Sequence, residues 1–235
     1  MNDIITLANG ARLAYKGSIL ENDKFSRGIN LEKFIVRLSE YGFLRPIPIQ
    51  HKDLFAYIVR KDGFTYIFGR GTANKENFMR DIDYGWIKTE EGKVYKGFIL
   101  AAIELLPFIK SQIDKGELLK VGGHSFASAL MQIIGNKLAE EKFNVVCAVT
   151  IGSPRVGDKE YIKNTTGLFP RYEIINNLDI VPELPTKWGG WKHYPSLYLT
   201  REGKLKDGWD YFDRKKDRFM TLVKHRNIKE YLHDH

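Results

Sequence analysis

The sequence is poor in several features that would fix a protein's class at once. It contains one cysteine, Cys147, in 235 residues, which excludes a disulfide framework and any multi-cysteine zinc or iron–sulfur centre. No apolar run approaches the ~18 residues a membrane-crossing helix needs, so no transmembrane segment is readable. The first residues, MNDIITLANGARLAYKG, carry an acidic Asp3 and no Lys or Arg ahead of a short apolar run. That is not the pattern of a secretory signal. The expectation is a cytoplasmic protein, with export lacking a cleaved signal left open. Repeats, low-complexity tracts and Pro/Ser-rich linkers are also missing, so residues 1–235 read as a single domain.

What is present is the composition of a folded chain, 43% hydrophobic, 13% aromatic and 28% charged. A chain of this length buries roughly 70–75% of its unfolded surface and needs no metal to hold a core. The 37 Lys and Arg outnumber the 29 Asp and Glu, for a net charge of +8. The basic residues form no clean stripe, since Asp207, Asp210, Asp213, Asp217 and Glu230 interrupt the lysine- and arginine-rich stretch 201–230. This is the pattern of a mixed, solvated surface, and no recognition motif accompanies it. No nucleic-acid partner is expected, nor an obligate protein partner.

Apolar residues recur at helical spacing over 4–20 and 30–43, so 1–50 reads as N-terminal helices packed on the core. LFAYIVR (54–60), the turn KDG and FTYIFGR (64–70) read as a β-hairpin. From residue 94 helices alternate with strands. Helices are expected over 98–113, 125–141 and 157–164, and strands over 118–123, 144–152, 171–176 and 196–204. The run NVVCAVTIG (144–152) is apolar at nearly every position, as in a strand buried on both faces. The fold class is α/β, a mostly parallel central sheet with an antiparallel edge hairpin and helices on both faces.

The junction LLKVGG-HSFASAL is the most informative stretch. Gly123-His124-Ser125-Phe126-Ala127 fits a nucleophile elbow, in which small residues let a strand and a helix pack closely enough to expose the serine on a sharp turn. The helix N-terminus then favours negative charge beside it. Ser128, three residues into the helix, reads as a small packing residue. Ser125 needs an orienting carboxylate and a base, which follow it in chain order in this architecture. Asp179 comes just past the strand RYEIIN, where ligand chemistry gathers in open α/β sheets. Of six histidines, His51 precedes the elbow, His124 occupies its variable position, and His233 and His235 are terminal. His193 and His225 remain, and the strand expected between them favours His225 as the base. The oxyanion of an acyl-transfer intermediate needs donors. Phe126 N–H is one, and Thr72, ending the glycine-rich turn after the hairpin, offers its N–H and hydroxyl.

Further stretches extend the pattern. Gly69-Arg70-Gly71-Thr72 is similar to an R-G-T segment, Val94–Phe98 to V-H-x-G-F, and Gly152–Asp158 to G-x-P-R-V-G. Asp179–Pro185 matches D-x-V-P-x-L-P, and Lys224–Tyr231 is similar to D-H-x-x-x-x-Y. In this order they resemble the class 3, fungal-type lipase family of the α/β-hydrolase superfamily. The resemblance covers about 65–232 and implies an α/β-hydrolase fold and a serine hydrolase of lipid esters. The implied triad is Ser125, Asp179 and His225, with Thr72 and Phe126 at the oxyanion. It implies that Asp81 braces Thr72, a solvent-facing structural role being the alternative, that 73–93 is a lid-like segment, and that His193 is a family histidine other than the base. No metal or organic cofactor is required, and contact with a lipid interface would be transient. Ala127 stands where the family has Gly and Tyr95 where it has His; neither position belongs to the triad. Phospholipase A-type activity on anionic phospholipid is the alternative, and a non-catalytic lipid- or protein-binding role a more distant one. The aromatic residues Trp188, Trp191 and Tyr194 either line an acyl groove or belong to the core.

Overall fold

The computed structural model describes residues 6, 10, 31–52, 54–70, 85–176, 179–185, 189–199, 204–207, 213 and 215–217. Statements below concern these residues. The helices are α1 (Leu31–Glu40), α2 (Lys96–Lys110), α3 (Phe126–Glu140) and α4 (Lys159–Thr165). The strands are β1 (Leu44–His51), β2 (Leu54–Lys61), β3 (Phe64–Gly69), β4 (Trp86–Lys88), β5 (Lys93–Tyr95), β6 (Leu118–His124), β7 (Asn144–Ile151), β8 (Arg171–Asn176), β9 (Ser196–Leu199) and β10 (Leu205–Asp207). Eight of them form one sheet in the order β1-β2-β3-β6-β7-β8-β9-β10, and β4 pairs with β5. The pairs from β3 through β9 are parallel, while β1-β2, β2-β3 and β9-β10 are antiparallel. This is the expected α/β architecture with β6 and β7 at its centre.

Residues alternate between two cores, as the pleat requires. Ala56, Ile58, Ile67, Leu119 and Val121 face the side where α2 and α3 pack. Phe55, Tyr57, Tyr66, Phe68 and Val149 face the other side, with Leu38 of α1 and Phe43. The β2-β3 hairpin turns at Asp62 (φ 51°) and Gly63 (φ 77°), the positive-φ pair that a two-residue turn matching the strand twist demands.

One element departs from the sequence reading. Residues 44–51, taken with the N-terminal helices, form β1, so the antiparallel edge has three strands. Pro46 and Pro48 hide it, because proline withdraws a ladder donor; at a sheet edge that costs little and discourages pairing with another chain. Its register with β2 breaks between Leu44 and Ile47 and then holds to His51↔Leu54. Of the expected lid-like segment, residues 85–93 are described. They lead into the β4-β5 hairpin, which is tied to the body: Glu91 meets Lys137 Nζ at 3.4 Å, and Asp158 N–H donates to Lys93 O.

At the start of β6, Glu117 links three elements. Arg60 contacts its Oε1 at 3.0 Å, Asp114 N–H donates to the same oxygen at 3.2 Å, and the Thr65 hydroxyl donates to Oε2. Burial pushes this carboxyl up, but the bonds from Thr65, Arg60 and Asp114 outweigh it and hold it below its ordinary value. A depressed folded value gives stability that is complete above the unfolded value of about 4.3 and disappears as pH falls through the folded one. Glu117→Gln is therefore expected to lose about 1–2 kcal/mol near neutrality. The difference from wild type should close as urea denaturation is repeated from about pH 7 down to about pH 3.

Candidate active site

Strand β6 delivers Ser125 to the site. Gly122 and Gly123, near the end of the strand, pair with Val149 and Thr150 of β7, and α3 starts one residue after the serine. Ser125 has φ 58° and ψ −130°, a conformation that costs a non-glycine residue energy and is kept where surroundings over-determine it. Its N–H donates to Ile151 O at 2.9 Å, and its carbonyl accepts from Ser128 N–H at 2.9 Å. Its hydroxyl makes no capping bond to α3, so the elbow does not spend that group on the helix. A Cβ on Gly123 would meet the Ala127 carbonyl carbon and oxygen at 2.6 Å, which is why the strand can approach the helix only with glycine here.

Ser128 serves this turn and not the chemistry. It is fully buried, shares its one hydroxyl proton between Gly123 O and Ile151 O, 2.7 and 2.9 Å away, and accepts from Ile151 N–H at 3.1 Å. Phe126 is the first residue of α3, so its N–H lies in the first turn, whose N–H groups have no intrahelical acceptor. Its ring packs 5.6 Å from that of Phe98.

Asp179 lies past β8, one strand beyond β7, and is buried. Its N–H donates to Asn176 O at 3.2 Å, and its Oδ1 accepts from Val181 N–H at 2.9 Å. Between elbow and acid sits Gly152 at the end of β7, with φ 58°. A Cβ there would overlap the Asp179 carboxylate, and would lie 3.9 Å from His124 Nε2. The absent side chain is thus the space the acid occupies, and it places both Asp179 and the elbow histidine against the same glycine. The sheet therefore brings Ser125 and Asp179 to the same end of the parallel strands. Gly69 at the end of β3 pairs with Gly123, so the chain leaves β3 at Arg70 beside the elbow. Thr72, Asp81 and His225 lie outside the described residues, as does Trp188.

Around the acid the structure adds contacts that the sequence did not show. Arg155, in the turn after β7, donates through one guanidinium nitrogen to Glu183 O and, at 2.7 Å, to Pro185 O. Its other terminal nitrogen meets Glu183 Oε2 at 2.8 Å, and its N–H donates to Leu184 O at 2.7 Å. The segment after Asp179 is thereby clamped. His193 reaches the same segment, with Nε2 on Pro182 O and Nδ1 2.7 Å from Glu173 Oε1. Behind it, Asn136 donates to the hydroxyls of Tyr161 and Tyr194 at 2.8 and 3.0 Å. Burial pushes both phenols up, keeping them neutral. Tyr194 is thus a core residue, as is Trp191, which stacks on Trp86 with ring centroids 3.3 Å apart. For these two aromatics the packing alternative holds, not the acyl groove.

The model of the family described as lipase (class 3) matches residues 66–188, which is more than half of the chain and contains both the elbow and Asp179. The chain belongs to the lipase (class 3) family. With that membership the family and the fold that the motifs implied are both present. Lipase II of Rhizopus niveus shares its fold at 20% identity, with a TM-score of 0.67 over 84% of this chain and 80% of that one. A triacylglycerol lipase whose catalytic centre is described as a serine protease triad is similar at 19% identity, with a TM-score of 0.67 over 87% of this chain and 82% of that one. Toxin TseL of Vibrio cholerae is 28% identical over 121 residues, 48% of this class 3 lipase chain. The match occupies 19% of the toxin's length.

Proposed function

We propose that this class 3 lipase hydrolyses carboxylic esters of lipids through an acyl-enzyme on Ser125. The observation that carries the reading is the strained elbow at Ser125, set at the same sheet end as the buried Asp179 within a matched lipase domain. Ser125 Oγ attacks the ester carbonyl, and His225 accepts its proton and returns it to the leaving alcohol. Asp179 holds the imidazole in one tautomer and stabilises the imidazolium. Phe126 N–H and Thr72 donate to the oxyanion, each donor being worth roughly 10²–10³ in rate. Asp81 would support Thr72. Water then deacylates Ser125 by the same route. His225, Thr72 and Asp81 enter on the sequence motifs.

A phospholipid substrate is the second reading. The net charge of +8 favours encounter with an anionic lipid surface. A substrate panel separates the readings. It comprises p-nitrophenyl esters from acetate to palmitate, emulsified triacylglycerol, and vesicles of phosphatidylcholine with and without phosphatidylglycerol. Ester turnover is expected, absent in Ser125→Ala. Fatty-acid release from the anionic vesicles exceeding that from triacylglycerol would select the phospholipase reading. A folded protein inactive on every ester would favour the non-catalytic, lipid- or protein-binding role.

A further inference from the structure

His193 is not a member of the proposed triad, yet its ring is held between β8 and the segment that follows Asp179. Nδ1 lies 2.7 Å from Glu173 Oε1, a close contact outside hydrogen-bond geometry, and Nε2 meets Pro182 O. Each ring nitrogen therefore lies close to an oxygen, a carboxylate at Nδ1 and a backbone carbonyl at Nε2. The pair is enclosed, with side-chain exposures of 11% for His193 and 1% for Glu173. The second carboxylate oxygen of Glu173 is 3.4 Å from Gln132 Nε2, which also donates to Ser153 Oγ at 2.9 Å. Helix α3 thus reaches the buried carboxylate of strand β8 through Gln132, which the turn after β7 also engages, and that carboxylate lies against the ring.

The ring's other contact is what matters for chemistry. Pro182 follows Val181, whose N–H fixes Asp179 Oδ1 at 2.9 Å. Where Val181 and Pro182 sit therefore bears on where the Asp179 carboxylate points. Arg155 secures the downstream half of the segment, from Glu183 to Pro185. We propose that His193, held against Glu173, is a positioning residue that fixes the upstream half through Pro182 O and so aims Asp179. The proposal rests on the reading of Asp179 as the triad acid. A displacement of about 1 Å at a catalytic group costs on the order of 10²-fold in rate, so an aiming residue shows itself in kcat.

The test is a mutant cycle, His193→Gln and Glu173→Gln, each alone and combined with Asp179→Asn. It is read as kcat and KM on p-nitrophenyl butyrate, with melting temperature as the control. His193→Gln is expected to lower kcat about 10- to 100-fold with KM within about twofold. In the Asp179→Asn background the same change should alter kcat less than about threefold, because the group it aims no longer acts. Glu173→Gln keeps the shape and removes the charge; it should give a loss of about fivefold with the same dependence on Asp179, and it carries the cycle if His193→Gln does not fold. Full kcat in a folded His193→Gln protein, or an equal loss in both backgrounds, overturns the proposal while leaving the triad intact. Full activity in Asp179→Asn alone overturns the assignment of the acid, and the proposal with it.

Discussion

Ser125→Ala, Asp179→Asn and His225→Ala are each expected to lower kcat/KM for p-nitrophenyl butyrate by about 10⁴-fold or more. Combining any two should cost little beyond the larger single loss, because the three groups act as one unit on one proton transfer. The folded state should survive in all three. Ser125 is half-buried and its hydroxyl caps nothing, so removing that oxygen leaves the elbow's backbone bonds to Ile151 and Ser128 intact. Asn in place of Asp179 can still accept from Val181 N–H, while it no longer carries the charge that stabilises the imidazolium. Melting temperature and near-ultraviolet circular dichroism separate loss of chemistry from loss of fold. If His225→Ala retained activity while the other two did not, the base would be another histidine, with His193 the next to replace.

Gly123→Ala should be strongly destabilising. The new carbon would fall 2.6 Å from the Ala127 carbonyl carbon and oxygen and 2.8 Å from the Ser128 nitrogen. All three are backbone atoms at the start of α3, so no side chain can swing aside. Either α3 moves away from β6 or the turn at Ser125 opens, and both displace the nucleophile. A loss of about 3 kcal/mol or more is expected, lowering the melting temperature by roughly 6–12 °C for a chain of this size, with activity falling below a hundredth of wild type. Gly116→Ala and Gly167→Ala are the matched controls. A Cβ at either meets nothing within 4 Å, and stability should stay within about 1 kcal/mol of wild type. A Gly123→Ala protein as stable and active as these controls would mean that the strand–helix contact is not what shapes the elbow.

The parallel strands were legible because burial on both faces leaves an apolar run, as in Asn144–Ile151, and because the hairpin carries Asp62-Gly63, which few other structures accommodate. Strand β1 was not, since Pro46 and Pro48 contradict a strand until its place at the sheet edge is known. Ser125 announced itself through a local requirement, small residues around a strand-to-helix turn. Asp179 did so through its place after β8. The braces behind them are long-range. In RYEIIN, Glu173 has the spacing of a water-facing residue on a half-exposed strand. Only the arrival of His193 and Gln132 from other parts of the chain makes its burial tolerable. Arg155 was visible as a letter of a motif, but its clamp on Glu183 and Pro185 depends on a loop nearly thirty residues later. Trp191 and Tyr194 illustrate the same limit: an aromatic loop reads alike as groove or core until Trp86 is found stacked on it. For His225, Thr72 and Asp81 the sequence motifs remain the whole basis.

The most direct test of Ser125 as the nucleophile is covalent. The native protein would be treated with a fluorophosphonate, which phosphonylates an activated serine, and the adduct located by peptide mass spectrometry. Stoichiometric labelling of the peptide carrying Ser125 is expected, lost in Ser125→Ala and lost when the protein is unfolded before treatment. Labelling of a different serine, or ester turnover that persists with Ser125 unmodified, would contradict the account.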